Sequence, residues 1–445
     1  MNGMLLQNPT AQADAAMDGA LVRKLWKSFS LNGSELLLTP GRPNTFVMGE
    51  VSPPALPEGK EFALLVTEDG AAVTGANFGG LMRGFFSLLM KLEADGKTLR
   101  LPPCREESGY TVPRRMLHLC VFPENDLYFI RKMLRLAALC QYTHVVLEFW
   151  GTLQYDCLHE LAWPGAYSKS QARELIAEIR ALGMEPVPMF NQLGHATASR
   201  ACYGKHVVLD QNPALQYLFT PDGWAWDIAS PEVRNLLRNV RAELYELFGP
   251  GEYLHIGCDE AYFYTRSPMR TYLPDWLREL TGEVVREGRR PMVWMDMLLE
   301  KGQFPNCTAS CAPEDAEMLR SALHPQTVLV DWQYHITEAP VPTSVYLQKT
   351  GYDVMCAPWL DRKNYLAHCE TAREYGLFGI MQTTWHTLKE QAAGVLGCAE
   401  ACGASLFPWG EWSQPRLQTA ALLRRVGLEG NCYADCGWSK TQIEV

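Results

Sequence analysis

The strongest constraint in this sequence is a rhythm. From Met116 onward, short apolar runs alternate with stretches of helical periodicity. The runs cover residues 116–121, 144–149, 185–190, 253–258, 292–297, 327–332, 352–359 and 378–385. Helical patterns fall between them, as at 127–139, 170–182 and 231–248. A short apolar run is what a parallel strand buried on both faces looks like, and a helix is the usual way back to the start of the next one. The helix at 231–248 opens with Ser230 as N-cap, Pro231 at the first helical position and Glu232 at the positive end of the dipole. Eight such units in about 300 residues predict a (β/α)8 TIM barrel, an α/β fold. An open doubly wound sheet is the main competitor, but no glycine-rich phosphate loop follows the early strands.

The first ~110 residues read differently. Residues 35–39, 45–48 and 62–66 have the character of short strands, and 67–70 is a turn signal that returns the chain into 71–74. A helical pattern follows at 79–92 through Leu81, Phe85, Leu88, Leu89 and Leu92. Leu101-Pro102-Pro103 closes this part, and Pro113 marks entry into the next. The expected organisation is a small α+β domain at 1–110 followed by the barrel at 111–445.

Charge narrows the class of partner. The chain has 40 Lys+Arg against 50 Asp+Glu, a net charge of −10, and no basic run. Nucleic acid and anionic membrane surfaces are therefore not expected partners. No apolar stretch reaches the ~18 residues of a membrane span. Residues 1–20 lack the basic and apolar regions of a secretory signal. With that, the fourteen Cys read as reduced thiols and the expected location is cytoplasmic. The pairs Cys307/Cys311, Cys398/Cys402 and Cys432/Cys436 lack the spacing and the nearby His pairs of a zinc site. His159-Glu160 is not followed by the second His of a zincin motif. No metal and no cofactor is expected. Oligomeric state is open, a homodimer included.

In a barrel of this kind chemistry gathers at the C-terminal ends of the strands. The second run ends in Glu148-Phe149-Trp150, and the third leads to Asn191-Gln192-Leu193-Gly194-His195. The fourth ends in Cys258-Asp259-Glu260, and the fifth holds Trp294 and Asp296. The sixth leads through Asp331-Trp332-Gln333-Tyr334, the seventh through Trp359-Leu360-Asp361, and the eighth through Trp385-His386. Packing alone would scatter the Trp residues among the helices. An adjacent Asp-Glu pair is common and usually solvated. Asp259 and Glu260, however, follow an apolar run in which Gly257 lets another backbone or a ligand come close. Two carboxylates held together repel, so one keeps its proton more tightly, as a general acid requires. Trp offers an apolar plate to a pyranose ring, while Asp and Arg bind hydroxyls. No Gly-x-Ser-x-Gly elbow appears. The expected substrate is a small sugar or oligosaccharide, and glycoside hydrolysis is the leading reaction.

The run Leu254-His255-Ile256-Gly257-Cys258-Asp259-Glu260 resembles the His-x-Gly-Gly-Asp-Glu signature of glycoside hydrolase family 20, the β-N-acetylhexosaminidases, with Cys258 at the second Gly. Leu193-Gly194-His195 is similar to the family's Pro-Gly-His, Trp294-Met295-Asp296-Met297 to its Trp-Asp-Asp/Glu-Met, and Trp359-Leu360-Asp361 to its Tyr-Leu-Asp. The segment from Gly80 to Leu88 looks like part of the small domain that precedes the barrel in this family. The resemblance implies exo-acting removal of terminal β-linked N-acetylhexosamine, with retention, the substrate's own acetamide serving as nucleophile. It implies Glu260 as acid and base, and Asp259 as the holder of the acetamide N–H. It further implies His195 behind Glu260, and Trp294, Trp332 and Trp385 as walls. Arg114, or Arg115 beside it, and Asp361 are implied as hydroxyl ligands.

The chain departs from the family pattern in several places. Trp359 stands where the family has a Tyr that bonds the acetamide oxygen. Tyr334 or the Trp359 indole N–H is the expected substitute. Trp385-His386-Thr387 lacks the family's Glu at Thr387, and Trp409-Gly410-Glu411 restores those letters only later. Glu148-Phe149-Trp150 replaces an Asp pair, and Asn191 an Asp. The segment with Asp210-Gln211-Asn212-Pro213 and Trp224-Ala225-Trp226-Asp227 reads as a loop, either facing substrate or simply packed. Two alternatives stay open: a non-catalytic sugar-binding barrel, and a glycosidase of the same fold for a modified hexosamine.

Overall fold

Each of the eight apolar runs supplies one strand of a closed parallel barrel. In chain order the strands are Arg115–Cys120, His144–Glu148, Glu185–Met189, Tyr253–His255, Arg290–Trp294, Val328–Asp331, Asp353–Cys356 and Gly379–Gln382. The eighth closes on the first, with Met116 opposite Met381. The computed structural model describes residues 3–31, 34–95, 98–122, 124–197, 208–266, 268–385, 388–403 and 415–428. Strand periodicity sorts the side chains. Met116, Val146, Val187, Met189, Met292, Val328, Val330, Met355 and Met381 turn inward and fill the barrel as a separate apolar cluster. Leu117, Leu119, Val145, Leu147 and Leu329 turn outward into the larger core shared with the helices.

The expected helices form close to where periodicity places them, at Leu127–Leu139, Lys169–Ala181 and Pro231–Phe248. Asp126 and Ser230 accept from backbone N–H groups of the first turn, and Ser168 with Gln171 makes a full capping box. No helix among the described residues is long and apolar enough to cross a membrane.

The N-terminal part holds a three-stranded sheet, Met4–Leu6, Thr98–Leu101 and Glu93–Asp95, and a six-stranded one. Its order is Leu37–Pro40, Thr10–Ala13, Thr45–Gly49, Gly70–Gly75, Phe62–Val66, Cys104–Glu107. The helix Phe78–Met90 packs on it. The sequence reading assigns no element before residue 35, yet Thr10–Ala13 is an interior strand and Gly19–Phe29 is a helix. Asp18 caps that helix, and it buries Leu21, Val22, Leu25, Trp26 and Phe29. Its 3.6-residue pattern is present in the sequence. The strand is not legible, because Thr-Ala-Gln-Ala carries little apolar mass.

Sheet and barrel are joined by buried charge. Arg115, at the start of the first barrel strand, is 2% exposed, and its Nη2 donates to both carboxylate oxygens of Glu61, at 3.0 and 2.9 Å. Arg83 donates to the same carboxylate at 2.6 Å. Burial alone would raise the Glu61 pKa, but the two guanidinium charges outweigh it and hold the carboxyl below its ordinary value.

This placement corrects the reading of both arginines as ligands at the site. Arg114 precedes the first strand, donates to the Tyr253 hydroxyl at 3.1 Å, and lies 4.0 Å over the Phe378 ring. Tyr253 and Phe378 stand at the beginnings of the fourth and eighth strands, so Arg114 occupies the N-terminal mouth. Arg115 is spent on Glu61. The mouth where strands end lies a strand length away, roughly 15–20 Å at ~3.3 Å per residue.

Removing Glu61 would leave two guanidinium groups without their carboxylate, one of them fully buried. Glu61→Ala is expected to lower unfolding stability by about 3–5 kcal/mol. Urea denaturation at neutral pH measures it, and a loss below about 1 kcal/mol would place the pair among ordinary surface ion pairs.

Candidate active site

The fourth strand is only three residues long because the backbone leaves extended geometry at once. Gly257, Cys258 and Glu260 take φ values of +66°, +72° and +50°. In a strand, neighbours such as Asp259 and Glu260 would diverge. The left-handed turns cancel that divergence. His195 Nε2 lies 3.2 Å from Asp259 Oδ2 and 3.1 Å from Glu260 Oε2, so both acids reach one imidazole nitrogen.

Glycine is needed at two contacts here. A Cβ on Gly257 would fall 1.7 Å from Asn191 Oδ1, and one on Gly194 would fall 1.9 Å from the Asp259 carbonyl oxygen. Cys258 holds a conformation that favours glycine, at a cost of about 1–2 kcal/mol. His195 and Trp150, at +56° and +45°, add to the strain gathered at this mouth.

Glu260 is fixed from several sides. Its Oε1 accepts from the Tyr262 hydroxyl at 2.7 Å. Its backbone N–H donates to Asp296 Oδ2 at 3.0 Å, and its carbonyl accepts from Trp224 Nε1 at 2.8 Å. Burial, then the charge of Glu260, pushes the Tyr262 phenol above its usual range, so it remains a donor. The Glu260 side chain keeps 28% of its surface open, against 9% for Asp259. Asp259 Oδ1 is buried and has no hydrogen-bond partner among the described residues. An acceptor in that condition is costly unless a ligand supplies a donor. His195 is flanked by Trp150, stacked at 5.9 Å, and by Trp224 at 4.6 Å.

Asp296 is a third carboxyl, fully buried beneath these two. Besides the Glu260 N–H it accepts from Trp332 Nε1 at 3.3 Å and from the Ser310 hydroxyl at 3.3 Å. Burial, then the charge of Asp259, raises its pKa to about 8. The cluster therefore carries less negative charge at neutral pH than three carboxyls would suggest.

Aromatic side chains from the last four strand ends form a continuous wall. Trp294 is 1% exposed, its ring tilted against His255 at 4.4 Å and against Trp385 at 6.2 Å, and its buried indole nitrogen has no partner among the described residues. Trp385 Nε1 donates to the Tyr334 hydroxyl at 2.9 Å. The Tyr334 ring lies 5.3 Å from Trp332 and 5.4 Å from Trp359. Gln391 Oε1 accepts both the Trp359 indole N–H and the Trp385 backbone N–H, each at 2.8 Å.

The structure thus gathers Asp259, Glu260, His195, Trp294, Trp332, Tyr334, Trp359 and Trp385. It leaves Arg114 at the far mouth. Asp361 is exposed and caps the helix Arg362–Glu374, accepting from the N–H groups of Lys363 and Asn364 at 2.7 and 3.3 Å. The Trp359 N–H, one of the two substitutes for the family Tyr, is committed to Gln391. Asp331 points outward to the hydroxyls of Thr343 and Ser344. Glu148 is fully buried below the site, bonded to His118 at 2.8 Å and to Asn191 at 3.1 Å. Trp224 joins the site, while Trp226 is core and donates to the Asn191 carbonyl. His386, Thr387, Trp409, Gly410, Glu411, Cys432 and Cys436 lie outside the described residues. Tyr262, Gln391, Ser310 and His118 belong to the site region and carry no motif. Only the closeness of Tyr262 to Glu260 in the chain could have flagged it.

Two expectations follow from this geometry. The folded state holds a proton on Asp296 up to about pH 8, whereas the unfolded chain releases it near its ordinary value, so this group makes stability fall as pH rises between them. Asp296→Asn should remove that slope. Its Tm starts lower, because the amide NH2 meets donors, but stays flat from about pH 5 to about pH 8 where wild type declines. Thermal unfolding across pH checks this; parallel slopes would refute it. Gly194→Ala should displace the Asp259 carbonyl and cost activity by more than tenfold while the far-ultraviolet circular dichroism is kept.

The chain matches the model of glycosyl hydrolase family 20, catalytic domain, over residues 146–428. No curated protein sequence matches it. Among solved structures it is similar to an exo β-N-acetylglucosaminidase from Vibrio harveyi in complex with N-acetylglucosamine, with TM-score 0.69 and 16% identity, covering 97% of this chain and 75% of that one. It is also similar to a mutant Streptomyces plicatus β-hexosaminidase in complex with product, with TM-score 0.70 and 16% identity, covering 96% and 93%. A Flavobacterium johnsoniae chitobiase gives TM-score 0.68 and 15% identity, covering 96% and 70%. At such identities the structures speak for the fold, a closed barrel preceded by a small sheet domain. The family match spans more than half of the chain and contains the acid pair, His195 and the aromatic wall: this chain belongs to glycosyl hydrolase family 20, a family of glycosidases.

Proposed function

We propose that the protein removes terminal β-linked N-acetylhexosamine with retention, by substrate-assisted catalysis. The observation that carries this reading is the buried Oδ1 of Asp259, unpartnered among the described residues, beside the more open Glu260. The acetamide N–H of a 2-acetamido sugar supplies the donor that oxygen lacks. With Asp259 holding the N–H, the acetamide oxygen attacks C1 while Glu260 protonates the departing glycosidic oxygen. The C1–O bond breaks and an oxazolinium ring forms, its positive charge facing the Asp259 carboxylate. Water then gives a proton to Glu260 and its oxygen to C1, and the ring opens with configuration kept.

His195 adjusts both acids through one nitrogen, and the Tyr262 hydroxyl steadies Glu260 in each protonation state. Trp294, Trp332 and Trp385 enclose the acetamide. The Tyr334 hydroxyl accepts from Trp385 and bonds Thr383, and burial keeps its own proton in place; in this reading that proton turns from Thr383 to the acetamide oxygen. The N-acetylglucosamine bound in the Vibrio and Streptomyces complexes supports a 2-acetamido ligand. The eleven free cysteines among the described residues fit a reducing, cytoplasmic setting.

A second reading rests on a separate observation. Arg114 and Asp361 both lie away from the acid cluster, which leaves few charged groups for the ring hydroxyls among the described residues. A hexosamine modified at those hydroxyls is therefore a competing substrate.

Wild type should hydrolyse an aryl β-N-acetylglucosaminide and leave the plain β-glucoside untouched. Glu260→Gln and Asp259→Asn should each lower kcat by about 10²–10⁴-fold. A thiazoline mimic of the cyclised intermediate should inhibit competitively. Comparable cleavage of the β-glucoside, or indifference to the thiazoline, would exclude the acetamide as nucleophile.

A further inference from the structure

Three thiols meet on the outer side of the barrel, between the helices Arg362–Glu374 and Leu388–Ala401. Cys398 lies on the second helix and Cys402 follows its last turn, four residues on, so the two share one face. Cys369 faces them from the first helix. Its Sγ is 3.9 Å from Cys398 Sγ and 3.4 Å from Cys402 Sγ, and all three sulfurs lie within 4.8 Å of one another. The three residues are 2%, 0% and 1% exposed, and none is in a disulfide. The spacing Cys398/Cys402 alone gives no metal motif. The third thiol comes from another helix and cannot be found by spacing.

The 3.9 Å pair has the spacing of a coordination sphere, and the 3.4 Å pair would open by a few tenths of an ångström to reach it. Three thiolates on one ion at about 2.3 Å stand about 3.8–4.0 Å apart, whether the ion is tetrahedral or trigonal. The donor set is sulfur alone, with no carboxylate or imidazole in the group. Hard oxygen-seeking cations are thereby disfavoured, and soft d10 ions are favoured. A disulfide would use two of the sulfurs and leave the third without a role. In the present state Cys369 Sγ approaches the Cys398 carbonyl at 3.7 Å, a contact suited to a protonated thiol.

We propose that Cys369, Cys398 and Cys402 form a buried tris-thiolate site for one soft d10 metal ion, Cu(I) or Zn(II). Loading forms three metal–sulfur bonds and releases to water whatever protons the sulfurs carry, with no change of oxidation state. Thiolate, not thiol, binds the ion, so the metal competes with protons and its affinity rises with pH. The ion would clamp the two helices at the end away from the sugar site. Gln391, which holds Trp359 and Trp385, lies on the same second helix, two turns earlier.

The test uses the full-length protein, stripped of metal and reduced. Cu(I) under anaerobic conditions and Zn(II) are titrated separately against colorimetric chelators. The proposal expects one ion per chain in at least one arm, thiolate-to-metal absorption in the Cu(I) arm or loss of thiol titre in the Zn(II) arm, proton release, and a higher Tm. The arm that holds its ion against the stronger competitor identifies the metal. Cys369→Ser and Cys402→Ser should each abolish retention while aryl glycoside turnover reports that the barrel is folded. Cys104→Ser, in the N-terminal sheet, should retain the ion. Failure of wild type to hold either ion overturns the proposal without reference to any variant. Unchanged stoichiometry in Cys369→Ser, or a Cys369–Cys402 disulfide that resists the reductant in protein that retains no ion, also overturns it. None of these outcomes bears on the acetamide mechanism, whose test is the β-glucoside comparison.

Discussion

Everything at the mouth of this barrel depends on the left-handed turn after the fourth strand. Two acids adjacent in the chain would ordinarily look in opposite directions. Here Gly257, Cys258 and Glu260 adopt positive φ, and the two carboxylates converge on one nitrogen of His195. The turn survives because its surroundings over-determine it. Asn191 fills the space beside Gly257, and Gly194 lies against the Asp259 carbonyl. Asp296 holds the backbone of Glu260 from below. Strain is retained at the one place where an extended chain would separate the acids.

Three carboxyls within one small volume raise the question of how the site stays folded. The answer is a division of environments. Glu260 keeps contact with solvent, and Asp259 is closed in but shares the imidazole. Asp296 is fully buried and holds a proton through neutral pH. The same division suits the proposed reaction. A proton donor needs access to the leaving group, and a group that stabilises a cation needs to stay charged in a dry setting.

The barrel is legible in the sequence because each strand is buried on both faces and each run therefore stands out as nearly continuous apolar residues. The acid pair and His195 are legible because they lie next to such runs. Other features are hidden for identifiable reasons. Thr10–Ala13 forms an interior strand with almost no apolar signal, its place fixed by neighbouring strands. Arg114 looks like a ligand by its position at the start of the first run, yet that position is the wrong end of a strand. Asp361 follows Trp359 as the family motif has it, but the helix that starts at Arg362 uses its carboxylate as a cap. Tyr262, Gln391 and Cys369 act across loops and helices, and no spacing rule brings them to their partners.

One side-chain amide oxygen joins two plates of the aromatic wall. Gln391 accepts from the Trp359 indole and from the Trp385 backbone. The clearance between the seventh and eighth strand ends is thus governed by a helix outside the barrel rather than by the strands themselves. A shorter residue at 391 would release the Trp359 indole from the Trp385 backbone, which makes this position a dial for admitting bulkier sugars while the acid pair is left alone.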